Sequence, residues 1–445
     1  MSQYRAYPAY KDSGIEWIGQ VPEHWEVKPF KYILSAPMSY GANESAESDD
    51  PNHPRYIRIT DLTDNGTLRE DTFKTLPWDK AYSYLLSDGD ILLARSGATV
   101  GKSFLYRETN GAACFAGYLI KASCDEEKAL PKYIYAYLQS HSYWEYISGS
   151  NIQSTIQNVS AEKYSSMVLP VPQREEQASI AATLDRETAR IDALIEKKTR
   201  FIELLKEKRQ ALITHAVTKG LDPNTKMKDS GIELIGQVPE HWEVTKLKHV
   251  AAFSGGGTPS KENPDYWNGC IPWVSPKDMK HEVITDSIDH ITTKGLKNSA
   301  TKLIDSGAVL LVARSGILRH TIPVGINNVP VSLNQDMKAL SLDETRVRPR
   351  FILRWVQGLN RSLLGIWAKE GATVESLEHE YVANTLLPLP DLKEQDAILA
   401  TLDRETARID ALIGKAEQSI TLLKERRAAF ITAAVTGQID LRGKQ

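Results

Sequence analysis

The chain has 445 residues, 41% of them hydrophobic and 25% charged, too long for one ordinary core and typical of a globular protein. No apolar run reaches the roughly eighteen residues of a membrane span, and the N-terminal MSQYRAYPAYKDSG lacks the apolar stretch of a secretory signal, so a cytoplasmic protein is expected. The net charge of −3 argues against a surface that binds nucleic acid indiscriminately, yet a local basic cleft is enough for phosphate contact.

In chain order, residues 1–27 form a lead-in that ends in KDSGIEWIGQVPEHWEV (11–27). This string returns as KDSGIELIGQVPEHWEV (228–244), with only Trp17 and Leu234 differing. Such repetition points to scaffold, and His24 and His241 inside it read as packing residues rather than bases. The first variable segment, 28–172, holds 14 Lys and Arg against 17 Asp and Glu. Its β-rich stretches are RYIRITDL (55–62), GDILLARSG (89–97) and CFAGYLIKA (114–122), followed by a helical stretch over 131–147. SGATVGKS (96–103) approaches a phosphate-cradling loop but begins with Ser96 and runs into a strand-like SFLYRET, so nucleotide binding is not expected. LPVP (169–172) closes the segment.

A helical pattern then fills 173–220, from the acidic Glu175 and Glu176 to a stop at Gly220. A linker and the repeated lead-in occupy 221–244. The second variable segment, 245–390, reverses the balance, with 17 basic against 14 acidic residues. CIPWVSPKDM (270–279), GAVLLVARSG (307–316) and VSLNQDMKAL (331–340) repeat the strand order, and a helix is expected over 350–367. No βαβ unit surrounds SGGGTPSK (254–261), so it reads as a turn into a recognition loop rather than a dinucleotide fingerprint. The string ARSG, Ala94–Gly97 and Ala313–Gly316, is shared and anchors the two segments as copies of one fold, with Arg95 and Arg314 taken as equivalent. LPLP (387–390) leads into a second helix over 391–437, begun by Glu394 and stopped by Gly437, and a tail over 438–445.

The two helices share ATLDRETARIDALI, at 182–195 and 400–413. In the first, Ile180, Leu184, Ile191, Leu194, Phe201, Leu205 and Leu212 fall in steps of three, four and seven, a stripe with coiled-coil spacing. Ile398, Leu402, Ile409, Leu412, Leu423 and Phe430 take the equivalent places in the second. A helix over 173–217 would be roughly 65 Å long. The matching stripes predict that the helices pack on each other as an antiparallel spacer. The expected fold is thus α/β (α+β): two globular domains separated by two long antiparallel coiled-coil helices, with an internal pseudo-twofold repeat.

Chemistry is harder to find. The chain has no Asp/Asn-Pro-Pro-aromatic tetrapeptide, no H-E-x-x-H and no G-x-S-x-G. Cys114, Cys124 and Cys270 are not at metal-ligand spacing and read as reduced thiols. No catalytic or metal-binding residue is expected.

The order of lead-in, variable segment, proline exit and long helix, twice over, resembles the specificity subunit of a type I restriction–modification system. SGGGTPSKENPDYWNGCIPWVSPKDM (254–279) is similar to the start of a target recognition domain in that family, and GSNIQSTIQNVSAEKYSSMVLPVPQREEQ (149–177) to its end. The first segment departs from the pattern, opening with LSAPMSYGANES. The resemblance implies target recognition domains at 28–172 and 245–390, each reading one half of an asymmetric bipartite site in double-stranded DNA, with helices setting the gap. It implies no cofactor on this chain, two modification subunits that use S-adenosylmethionine to methylate adenine, and two restriction subunits that use ATP and Mg2+. A type IIB-like specificity subunit and a helical scaffold that binds no DNA are the alternatives. Arg, Lys, Asn, Gln, Ser and Thr dominate DNA contacts. The candidates are therefore Arg95, Ser96, Thr99, Lys102, Asn151, Gln153, Ser154 and Gln157 in the first domain. In the second they are Thr258, Ser260, Lys261, Arg314, Ser315, Arg319 and His320. The helix stripe is expected to serve packing and partner docking.

Overall fold

The computed structural model describes residues 4–442 except 46, 64–65, 152–157, 234 and 369–373. The fold is α+β and divides into two compact units, Met1–Thr199 with Glu417–Gln445, and Arg200–Ala416. Among the described residues no helix is long and apolar enough to cross a membrane.

Each unit is built on the same sheet. In the first, Ser39–Tyr40, Leu119–Ala122, Ile91–Ala94 and Ser103–Leu105 lie side by side, all antiparallel. In the second, Ala251–Gly255, Met337–Leu342, Val309–Val312 and Val324–Asn327 repeat that order, with Val283–Ile284 added parallel at the edge. A parallel pair accompanies each sheet: Arg55–Ile57 with Ala113–Phe115, and the end of Trp267–Val274 with Ser332–Leu333. The central strands ILLA and VLLV are buried throughout, as unbroken apolar runs require.

Both expected helices over 131–147 and 350–367 are broken in two, into Pro131–Tyr137 and His141–Asn151, and into Pro349–Gly358 and Asn360–Trp367. The second break has a clear cause. The carbonyls of Gln357 and Gly358 accept from Gln210 Nε2 at 3.0 and 2.9 Å, and Gly358 O also takes Thr214 Oγ1 at 2.5 Å. Side chains of the first long helix thus hold carbonyls where the shorter helix ends.

The duplicated frame is a clasp. In the first unit Glu26–Pro29 pairs antiparallel with the exit strand Val168–Val171, and in the second Glu243–Lys246 pairs with Leu386–Leu389. Trp25 and Trp242 are fully buried beneath these pairs. Beyond each exit sits a buried glutamine with the same three bonds. Gln177 accepts from Leu130 N at 2.7 Å and donates to the carbonyls of Lys128 and Pro172 at 3.0 and 2.8 Å. Gln395 accepts from Arg348 N at 2.8 Å and donates to those of Arg346 and Pro390, both at 2.9 Å. His24 and His241 are not core residues. They are partly exposed and bond Glu176 and Glu394, each at 2.8 Å, at the start of the long helices.

The long helices run Arg174–Lys219 and Leu392–Val435. In the first unit Asp192 meets Arg427 at 3.0 Å while Ser179 Oγ donates to Leu441 O, so the segments there are antiparallel. In the second unit Arg209 meets Asp410 at 2.9 Å. Ile180, Leu184, Ile191, Leu205, Ile398, Leu402 and Ile409 are buried as expected, and Leu423 is half-buried. Leu194, Phe201 and Leu412 are not: they remain 41%, 46% and 40% exposed. The reason lies in the period. Ile180, Ile191, Ile202 and Ile213 are all buried and stand 11 residues apart, and Ile398, Ile409, Ile420 and Ile431 repeat that spacing. An 11-residue repeat gives about 3.67 residues per turn, where a heptad gives about 3.5. Heptad steps from Ile180 therefore land on Phe201, one residue short of the buried Ile202.

The first unit's core also includes residues distant in sequence. Tyr7, Trp25, Ile180 and Leu184 pack with Phe430, Ile431, Ile439 and Leu441. Asp440 N donates to Arg5 O at 2.7 Å, and Tyr7 Oη to Glu176 Oε1 at 2.7 Å.

Candidate nucleic-acid interface

The first unit presents its candidates on the loop that follows the strand Ile91–Ala94. Two buried tyrosines hold that loop: Tyr164 Oη donates to Ala94 O at 2.8 Å and Tyr143 Oη to Gly101 O at 2.6 Å. Burial raises the pKa of both hydroxyls, so they stay protonated donors. Ser96, Thr99 and Lys102 lie half-buried along the loop, with Thr99 Oγ1 lacking a hydrogen-bond partner among the described residues. Asn158 bridges to Ser96 and Val159 N donates to Arg95 O at 2.8 Å, bringing the end of the segment against the loop. Asn151 is the last residue of the helix His141–Asn151. Gln153, Ser154 and Gln157 lie outside the described residues.

Tyr40, which the sequence reading passed over, completes the group. The Arg95 guanidinium lies over its ring, 4.7 Å from the centroid, and Tyr40 Oη accepts from Ala161 N at 3.1 Å. Arg95 Nε is buried without a hydrogen-bond partner among the described residues. A guanidinium over a ring face at this distance is a cation–π contact.

The second unit brings its candidates together on two loops and a connecting turn. Gly256 leaves the edge strand so close to the Leu333 and Asn334 carbonyls that a Cβ there would overlap them, which explains glycine at this point of SGGGTPSK. Thr258 Oγ1 then donates to Gln335 Oε1, and Trp267 Nε1 donates to Ser260 O at 3.1 Å. Lys261 is exposed. Across the turn, Asp336 stands 3.6 Å from Arg314, and Arg319 meets Glu375 at 3.1 Å. The Ser315 hydroxyl caps Gly316–Arg319 by accepting from Ile317 N, and His320 follows, exposed. Sequence reasoning missed Gln335 and Asp336, although Asn-Gln-Asp between two strands is a polar turn that could have signalled them. Nearby, the Lys294 ammonium bonded to Asp265 at 2.7 Å holds that carboxyl below its usual range.

Backbone bonds correct the alignment of the two ARSG strings. Ile91 pairs with Ala122 and Val309 with Leu340, while Ala94 pairs with Leu119 and Val312 with Met337. Next, Arg95 N donates to Tyr118 O while its own carbonyl accepts from Val159 N; in the second unit the residue that does both is Ala313, to Asp336 O and from Leu377 N. Arg314 N donates to the same Asp336 carbonyl from the next position along the chain. Arg314 therefore follows the position Arg95 holds, bridging Ser376 as Ser96 bridges Asn158. The arginines share a string but not a place.

Among the described residues no group of three or more His, Cys, Asp or Glu is placed to hold a metal ion. What the loops offer is donors, acceptors and exposed cations, side-chain chemistry suited to polyanion contact.

The family pattern described as "Type I restriction modification DNA specificity domain" matches the chain twice, over residues 22–204 and 239–422. The chain belongs to the type I restriction–modification DNA specificity family. Among relatives of this specificity chain, the EcoR124I/EcoR124II specificity subunit of Escherichia coli is 30% identical over 288 residues, covering 63% of this chain and 65% of the relative. The MjaIX specificity subunit of Methanocaldococcus jannaschii is 28% identical over 172 residues, 38% of either chain. The chain thus spans less than two thirds of the length of each of these relatives. A solved chain from work on complex assembly and conformational transition of a type I restriction–modification system superposes with a TM-score of 0.73. It has 16% identity and covers 96% of this chain and 99% of its own length, a likeness of fold.

Proposed function

We propose that this chain is the DNA-reading subunit of a type I restriction–modification complex, without a catalytic centre of its own. Each variable segment reads one half of an asymmetric bipartite site. The observation that carries this reading is the double family match, each copy spanning one variable segment and much of the helix after it. Two readers joined by continuous helices can meet one face of a duplex when their half-sites lie about one helical turn apart. The DNA contacts are drawn from Ser96, Thr99, Lys102 and Arg95 in the first unit. In the second they come from Thr258, Ser260, Lys261, Arg314, Ser315, Arg319 and His320.

The duplicated frame and the exposed Leu194, Phe201 and Leu412 give two equivalent docking places for methyltransferase subunits. S-adenosylmethionine belongs to those partners, and ATP with Mg2+ to the restriction subunits that join them. The test is to co-purify the chain with a methyltransferase subunit and map methylated adenines by sequencing. A single bipartite motif is expected. Methylation with no bipartite motif, together with no sequence-selective DNA binding, overturns the reading.

A further inference from the structure

We infer that the arginine common to the two ARSG strings does two different jobs: Arg95, held over the ring of Tyr40, reads a base edge, while Arg314, exposed beside Asp336, holds a phosphate. This rests on the DNA-specificity reading above and assigns residues within it.

Three observations separate the two arginines. The first is register. Arg95 occupies the last ladder position of its strand, a place held by Ala313 in the second unit, whereas Arg314 stands one residue further on, in the place of Ser96, so the two side chains leave the sheet differently. The second is the neighbour on the edge strand. Gly41 and Gly256 mark equivalent points, since a Cβ on either would overlap the carbonyls of Phe115 and Ala116 or of Leu333 and Asn334. The residue before each is Tyr40 in one unit and Gly255 in the other, so the second unit has no ring at that position to stack a guanidinium. The third is freedom. The Arg314 side chain is 59% exposed and its carboxylate partner stands 3.6 Å away.

These differences map onto different recognition chemistry. A guanidinium held over a ring, that ring bonded in turn to the Ala161 amide, arrives with its position restricted. With Nε buried, the terminal nitrogens are the donors suited to meet a ligand, and a pair of parallel guanidinium donors matches the O6 and N7 acceptors of guanine. Lysine cannot imitate that fork. An exposed arginine in a weak surface ion pair instead exchanges its carboxylate for a phosphate with little reorganisation and no preference for sequence.

The experiment uses the chain co-purified with its methyltransferase subunit, comparing wild type with Arg95→Lys, Tyr40→Leu, Tyr40→Phe and Arg314→Ala. Methylated adenines are mapped by sequencing, and binding to the mapped site is measured across a salt series. A wild-type complex that marks no bipartite site removes the underlying DNA reading, whatever the variants do. Given a wild-type motif, Arg95→Lys and Tyr40→Leu are expected to relax one and the same position, cutting discrimination there about tenfold or more, while Tyr40→Phe keeps the motif. Arg314→Ala is expected to keep the motif, weaken binding to all sequences, and lower the salt slope by about one. The inference is overturned if Arg95→Lys leaves the motif intact, if Tyr40→Phe relaxes it as Tyr40→Leu does, or if Arg314→Ala relaxes a single position. Thermal unfolding of each complex shows whether a changed motif arises from a folded protein.

Discussion

The two units are most alike where they hold the chain and least alike where they expose it. The clasp strands, the buried tryptophans and the three-bond glutamines correspond residue by residue. The loops beyond the central strands do not: one stacks Arg95 on Tyr40, the other sets Arg314 by Asp336 and Arg319 by Glu375. A scaffold repeated so closely can tolerate divergent loops, because the bonds that position each loop lie outside it. Binding residues on loops held by a rigid frame are the usual arrangement.

That comparison can be broken at its strongest point first. Trp25→Ala and Trp242→Ala each empty a large buried site, and each should cost about 3–5 kcal/mol in denaturant unfolding. A cost confined to one of them would mean that the frame is not shared energetically. Replacing the glutamines tests the same point more gently. Gln177→Leu strands the Leu130 amide and two carbonyls, and Gln395→Leu strands the Arg348 amide and two carbonyls. Each should lower stability by about 2–3 kcal/mol, read from the unfolding midpoint, and unequal losses would sharpen the difference between the units.

Arg314→Ala removes the exposed side chain at the end of the second strand and leaves the backbone bonds of Ala313 in place. It should cost only about 0.5 kcal/mol in the same unfolding measurement. A loss as large as that of the glutamine variants would show that Arg314 is structural. The smallest effect is chemical. Burial pushes the Cys114 and Cys124 thiols of the first unit up to about 12, helped at Cys124 by the Asp90 and Glu126 carboxylates. At pH 8 only about one in ten thousand of either is thiolate, so iodoacetamide should label the exposed Cys270 of the second unit first, by mass spectrometry. Equal labelling of all three would contradict the burial described for the first unit.

Sequence patterns carried the frame well, since proline exits, acidic helix starts and long periodic stripes act locally. They failed where a distant partner decides. The helices expected over 131–147 and 350–367 each looked continuous, yet Gly358 O is taken by Gln210 and Thr214, far away in sequence. Identical ARSG strings implied identical places, although one extra residue precedes the second string, and only the ladder reveals that Arg314 therefore stands one place beyond Arg95. The 11-residue isoleucine spacing stood in the sequence all along, hidden by a heptad template that fits its first two members, Ile180 and Ile191. Tyr40 carried no signal of its own, because its meeting with Arg95 is made by the sheet.

The first unit's core contains Phe430, Ile431, Ile439 and Leu441 beside Tyr7 and Trp25, whereas the second unit is a single continuous stretch, Arg200–Ala416. On the ribosome this departs from the customary order, in which N-terminal domains fold first. The first unit receives its last core side chains only after every residue of the second has been polymerised. Until then Trp25, Ile180 and Leu184 lack their later partners. The first unit's period of greatest exposure to chaperones and proteases is thus set by the time taken to translate the rest of the chain.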